Sequence, residues 1–89
     1  MQIAVVGSGY VGLVAGACFA DLGHTVLVVD NDEQKLAALR NGECPIHEKF
    51  LPELLQRHRG RRLSFSDDLH GAVAASDAIF IAVGTPPTE

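Results

Sequence analysis

Tryptophan is absent from this chain, tyrosine and methionine occur once each, and aromatics make up only 6%. A basic excess is missing too. Seven Lys and Arg face eleven Asp and Glu, for a formal net charge of -4. Backbone phosphates want a basic face, so the balance argues against nucleic acid as the main partner. It says nothing against a single nucleotide, which needs only local donors. The one basic cluster, "RHRGRR" at Arg57 to Arg62, has no interleaved aromatics for base stacking and reads as a solvated helix end and turn. Cysteine is limited to Cys18 and Cys44, with no CxxC and no zinc-like Cys/His spacing. His24, His47, His58 and His70 show no metal spacing, and no metal is expected. A reducing cytoplasm is the default compartment for such cysteine usage. Long apolar runs are also lacking. No stretch reaches the ~18 residues of a membrane helix. No basic segment precedes the apolar opening, so "AGACFA" does not read as a signal cleavage site. No membrane association is expected.

What the chain does have is glycine in a telling place. Its 89 residues, 47% of them hydrophobic, suffice for one small domain. It opens "MQIAVVGSGYVG". Ile3 to Val6 form a continuous apolar run, which suits a strand buried on both faces. After the glycines, Val11, Val14, Ala15, Cys18, Phe19 and Leu22 recur with helical period. They predict a helix whose buried face includes Cys18, ending at Gly23. "TVLVVD" predicts a second buried strand ending in Asp30. Asn31 or Asp32 is placed to cap a helix over Glu33 to Arg40, stopped at Gly42. Phe50, Leu51, Leu54 and Leu55 predict a short amphipathic helix, "RLSFS" a third strand, and "SDDLHGAVAAS" a capped short helix. Ala78 to Val83 predict a fourth buried strand, followed by "GTPPTE". The expected fold is α/β: a Rossmann-type, doubly wound parallel sheet of order 3-2-1-4. Residues 1–89 would form its N-terminal portion, since a complete domain of this kind continues past the fourth strand.

The glycine turn carries the functional reading. A lone GxGxxG is weak, but here a strand precedes it, a helix follows, and an acid stands about twenty residues on. Gly7 would allow the tight turn. Gly9, lacking a Cβ, would let a pyrophosphate approach the backbone. Gly12 would let the helix pack closely on the strand. The helix N-terminus then offers free N–H groups and partial positive charge to phosphates. The alternative is a turn shaped for packing alone. Asp30 at the end of the second strand is placed to accept from the adenosine ribose hydroxyls. It would repel a 2′-phosphate, which predicts NAD over NADP. Lys35 reads equally as a ribose contact or a solvated lysine. "VGTPP" follows the fourth strand, so Val83, Gly84 and Thr85 are expected beside the glycine turn, at the switch-point crevice.

Four linked features are more specific than the glycines alone: "GSGYVG", Asp30 with Lys35 five later, "NGECPIHE", and "AVGTPP". Together they resemble the N-terminal segment of the UDP-glucose/GDP-mannose dehydrogenase family, over essentially the whole chain. The family oxidises the C6 hydroxyl of a nucleotide sugar, such as UDP-glucose, to a carboxylate with two NAD. The resemblance implies that Gly7 to Gly12 hold the pyrophosphate, that Asp30 and Lys35 serve the adenosine ribose, and that Val83, Gly84 and Thr85 meet the nicotinamide half. It implies that Tyr10 and Val11 present backbone to the cofactor, and that the parent protein is a homo-oligomer. "PIHEKFL" departs from the family's common "PIxEPGL" in the loop from Pro45. The family's nucleophilic cysteine lies far downstream in the sugar-binding part, and neither Cys18 nor Cys44 matches it. No catalytic residue is therefore expected within these 89. Two other readings stand beside this one: another NAD-dependent dehydrogenase, and a regulatory nucleotide-sensing Rossmann module.

Overall fold

The computed structural model describes residues 1–43 and 51–82. Cys44, His47 and Phe50, most of "PIHEKFL", and Val83, Gly84 and Thr85 lie outside the described residues. The described elements are β1 (Gln2–Val6), α1 (Tyr10–Asp21), β2 (Thr25–Val29), α2 (Glu33–Arg40), α3 (Leu51–His58), β3 (Leu63–Ser66), α4 (Leu69–Ala75) and β4 (Ala78–Ile81).

The four strands form one parallel sheet in the order β3-β2-β1-β4, as the sequence predicts. Right-handed crossovers then decide which face each helix covers. The chain moves outward from β1 through β2 to β3, so α1, α2 and α3 fall on one face. It then returns past β1 to β4, so α4 falls on the other. The larger core joins Ile3, Val5, Val26, Val28, Leu63 and Phe65 of the sheet to Leu13, Leu36, Leu39, Leu51 and Leu55 of the helices. A smaller cluster of Ala4, Val29 and Ala72 lies beneath α4.

Helix boundaries follow local chemistry. The Asp32 carboxylate accepts the Gln34 and Lys35 N–H groups at the start of α2, and Asp68 accepts that of Gly71 in α4. At the end of α1, Gly23 adopts φ +104°, a conformation natural to glycine. Its N–H reaches Ala20 O at 3.0 Å, and that of His24 reaches Phe19 O at 3.1 Å. This paired closure satisfies carbonyls that the helix leaves free. Helix α2 closes the same way, from Gly42 to Leu39 O and Glu43 to Ala38 O.

The buried face of α1 corrects the sequence reading. Gly12, Leu13, Gly16, Ala17 and Ala20 are buried, whereas Val11 and Leu22 are 57% and 74% exposed and Cys18 is exposed. The cause is close packing. A Cβ on Gly16 would stand 3.1 Å from Val28 Cγ2, and one on Gly12 would overlap Gly7 O outright. The helix therefore turns its smallest residues to the sheet. Because α1 is apolar on every side, hydrophobic period could not show which side wins.

Candidate functional site

Strand register assembles the site. Val6 pairs with Val29, and Val29 with Ser66, so the three strands end level. The next residues are Gly7, Asp30 and Asp67. With Val6, Val29, Asn31 and Leu69 they line a crevice of about 200 Å³ at the carboxyl edge of the sheet. On the far side of β1, the Ala82 N–H donates to Val6 O at 2.8 Å, beside the same turn. Neighbouring strands whose connections leave in opposite directions open such a crevice, and ligands bind in it.

Each glycine of the turn has a separate reason. Gly7 has φ +110° and donates to Val29 O at 2.7 Å, so it makes the sharp exit from β1. Gly12 is required by the overlap a Cβ would have with Gly7 O. Gly9 differs from both. Its φ of -74° suits any residue, and a Cβ there would meet nothing within 4 Å. Nothing in the described fold needs glycine at that position, so the bare backbone faces open space for a ligand. Helix α1 begins directly after it with no side-chain cap, whereas α2 and α4 both begin with an aspartate accepting their N–H groups. The α1 N-terminus thus presents free donors and the positive end of its dipole. Tyr10 and Val11, its first two residues, are exposed there.

Asp30 stands beside the turn and is tied to it. Its Oδ2 accepts the Ser8 backbone N–H at 2.9 Å and the Ser8 hydroxyl at 2.5 Å, while Oδ1 accepts the Asp32 N–H at 2.9 Å. Three donors occupy three of the carboxylate's roughly four lone-pair positions. The position left free by the described residues is on Oδ1. Partial burial pushes the Asp30 carboxyl up; the Ser8 and Asp32 hydrogen bonds and the charge of Lys35 outweigh this and hold it below its ordinary value. Lys35 is itself exposed in the first turn of α2, so its charge reaches the Asp30 side of the crevice without a direct bond.

Two residues of this constellation escape the sequence reading. Ser8 is 1% exposed although it sits between two glycines. A hydroxyl in that turn, opposite a strand-ending acid, is the signal that could have found it. Asp67 enters the crevice through register, which no local pattern reveals. The basic cluster lies elsewhere and is more than a solvated end. Arg57 Nη1 and His58 Nε2 meet Asp21 Oδ1 at 3.3 and 3.0 Å, and Arg62 donates to Gly23 O at 2.6 Å. It fastens α3 and the following turn to the end of α1. Among the described residues, no helix is long and apolar enough to cross a membrane.

Comparison with known proteins places this geometry. Residues 1–89 match the UDP-glucose/GDP-mannose dehydrogenase family, NAD binding domain. UDP-glucose 6-dehydrogenase of Rhizobium meliloti is 56% identical over 87 residues, covering 97% of this chain and 20% of that protein. UDP-glucose 6-dehydrogenase TuaD of Bacillus subtilis is 50% identical over 89 residues, covering 99% of this chain and 19% of that protein. Among solved structures, a ternary complex of GDP-mannose dehydrogenase from Pseudomonas aeruginosa superposes with a TM-score of 0.91 at 42% identity, covering 100% of this chain and 21% of that one. The chain spans about a fifth of the length of the curated relatives it matches.

Proposed function

The chain belongs to the UDP-glucose/GDP-mannose dehydrogenase family as its NAD-binding domain, and from that premise we propose how its residues divide the work of holding the cofactor. The pyrophosphate lies over Gly9 against the free N–H groups at the start of α1. The adenosine ribose donates to Oδ1 of Asp30, with Lys35 close by. Tyr10 and Val11 offer backbone, and Val83, Gly84 and Thr85 serve the nicotinamide half. NAD, when bound, takes up the hydride released as an alcohol is oxidised. The chain's own residues bind it, orient it and select it over NADP. Asp30 and Asp67 together place two carboxylates where a 2′-phosphate would fall, and like charge disfavours it there.

The protein containing this domain oxidises the C6 hydroxyl of a nucleotide sugar to the carboxylate, with UDP-glucose, the sugar nucleotide in the names of both curated relatives, as its substrate. The domain is one part of a longer, homo-oligomeric cytoplasmic enzyme. The covalent step belongs to its sugar-binding part: Cys18 is on the outer side of α1 and does not line the crevice.

The observation that carries this reading is Gly9, whose missing Cβ serves no contact among the described residues. Calorimetric titration with NAD and NADP, alongside Asp30→Ala, tests it. NAD binds, NADP binds much more weakly, and Asp30→Ala weakens NAD by about tenfold or more. A folded protein that binds neither nucleotide would refute it.

A further inference from the structure

Ser8 is the polar residue at the centre of the site that the reading above leaves without a task. Its side chain is buried at 1% exposure, inside a turn otherwise made of glycine. Burying a hydroxyl is costly unless it is hydrogen-bonded. Here the bond goes to the carboxylate assigned to the ribose: both the hydroxyl and the backbone N–H of Ser8 converge on Asp30 Oδ2. The two groups are 22 positions apart and sit at the ends of adjacent strands. No local rule of turn or helix capping requires the contact.

We propose that Ser8 is a positioning residue for cofactor selection, its hydroxyl clamping Asp30 through Oδ2 so that Oδ1 is presented to the ribose. The clamp works by geometry. With Oδ2 held by two donors from the phosphate turn and Oδ1 steadied by the Asp32 N–H, rotation of the carboxylate about its last bond is blocked. The acceptor is therefore set before the nucleotide arrives, and less ordering is left to oppose binding. The clamp also ties the pyrophosphate turn to the ribose acceptor, fixing the spacing between the two groups that each half of the adenosine diphosphate must reach. The charges facing Asp30 (Lys35 from α2 and Asp67 from the loop after β3) supply the field, but neither is bonded to it among the described residues.

This inference rests on the NAD reading, and a double-mutant cycle on the full-length protein separates the two. NAD and NADP affinities are measured for the wild type, Ser8→Ala, Asp30→Ala and the double variant, with folding checked by thermal unfolding. Ser8→Ala is expected to weaken NAD about tenfold, to leave NADP nearly unchanged, and to add nothing once Asp30 is gone. Ser8→Cys is the same shape and slightly larger, and it offers only a weak donor. It should lose NAD affinity in the same way, and it carries the test if Ser8→Ala does not fold. Equal losses for NAD and NADP, or losses that add to those of Asp30→Ala, would mean that Ser8 merely shapes the turn. So would full NAD affinity in both Ser8 variants. Absence of NAD binding in the wild type would remove the cofactor reading itself, and the clamp with it.

Discussion

At the scale of single residues, the three turn glycines look alike in sequence and differ in structure. Gly9→Ala is expected to change stability by no more than ~0.5 kcal/mol, because its backbone angles suit alanine and its Cβ meets nothing within 4 Å. It should nonetheless weaken NAD binding by about tenfold or more, since the methyl would occupy the path proposed for the pyrophosphate. Gly12→Ala is expected to behave oppositely. Its Cβ would overlap Gly7 O, which forces the helix off the turn and costs about 3 kcal/mol. Denaturant unfolding paired with calorimetry on the two variants checks both statements. The turn made by Gly7 and the close packing at Gly12 are legible in the sequence alone, because each depends on a local spacing. The places of Ser8 and Asp67 are not, because they depend on strands brought level from distant parts of the chain.

At the scale of elements, strand identity and helix ends are legible in the sequence and helix orientation is not. The runs "IAVV" and "TVLVV" read as strands, and Asp32, Gly23, Gly42 and Asp68 mark helix ends where the structure has them. The face of α1 is hidden, since a helix made mostly of Gly, Ala, Val and Leu has no polar side to turn outward. The joint between α1 and α3 is equally hidden, being made by Asp21 with Arg57 and His58. The hydrogen bond from His58 holds the Asp21 carboxyl below its ordinary value, partial desolvation opposes this, and the Arg57 charge adds to the lowering. A carboxyl depressed in the folded state stabilises above its unfolded pKa of about 3.9 and ceases to do so as pH falls through the lower folded value. Asp21→Asn should therefore be slightly less stable than the wild type at neutral pH. The gap should close in acid, below about pH 4, and shrink in high salt because the pair is exposed. Urea unfolding across that pH range shows whether the two curves merge.

At the scale of the whole molecule, the sheet has two unlike edges. The Arg62 and Ser66 carbonyls accept from Val26 and Asp30 N–H, so Leu63 and Phe65 of β3 point their backbone outward. Gly60 N–H meets Leu63 O at 2.9 Å and Arg40 Nη2 meets Phe65 O at 2.8 Å. Two outward carbonyls of the β3 edge are thus taken and unavailable to another strand. Among the described residues nothing blocks the outer edge of β4, where Ile79 and Ile81 are 44% and 69% exposed. Produced alone, this 89-residue stretch is expected to self-associate through β4, and Ile79→Lys with Ile81→Lys to reduce that association, as sedimentation would show. The sequence by itself determined the elements, their parallel order and the glycine turn between β1 and α1, because those follow from periodicity, capping and fixed spacings along the chain. Only the tertiary structure decided which side of α1 is buried, which carbonyls of the β3 edge are taken, and that Ser8 grips Asp30. Each of those depends on how closely two elements approach, and side-chain volume across the gap sets that distance, not the pattern along either element.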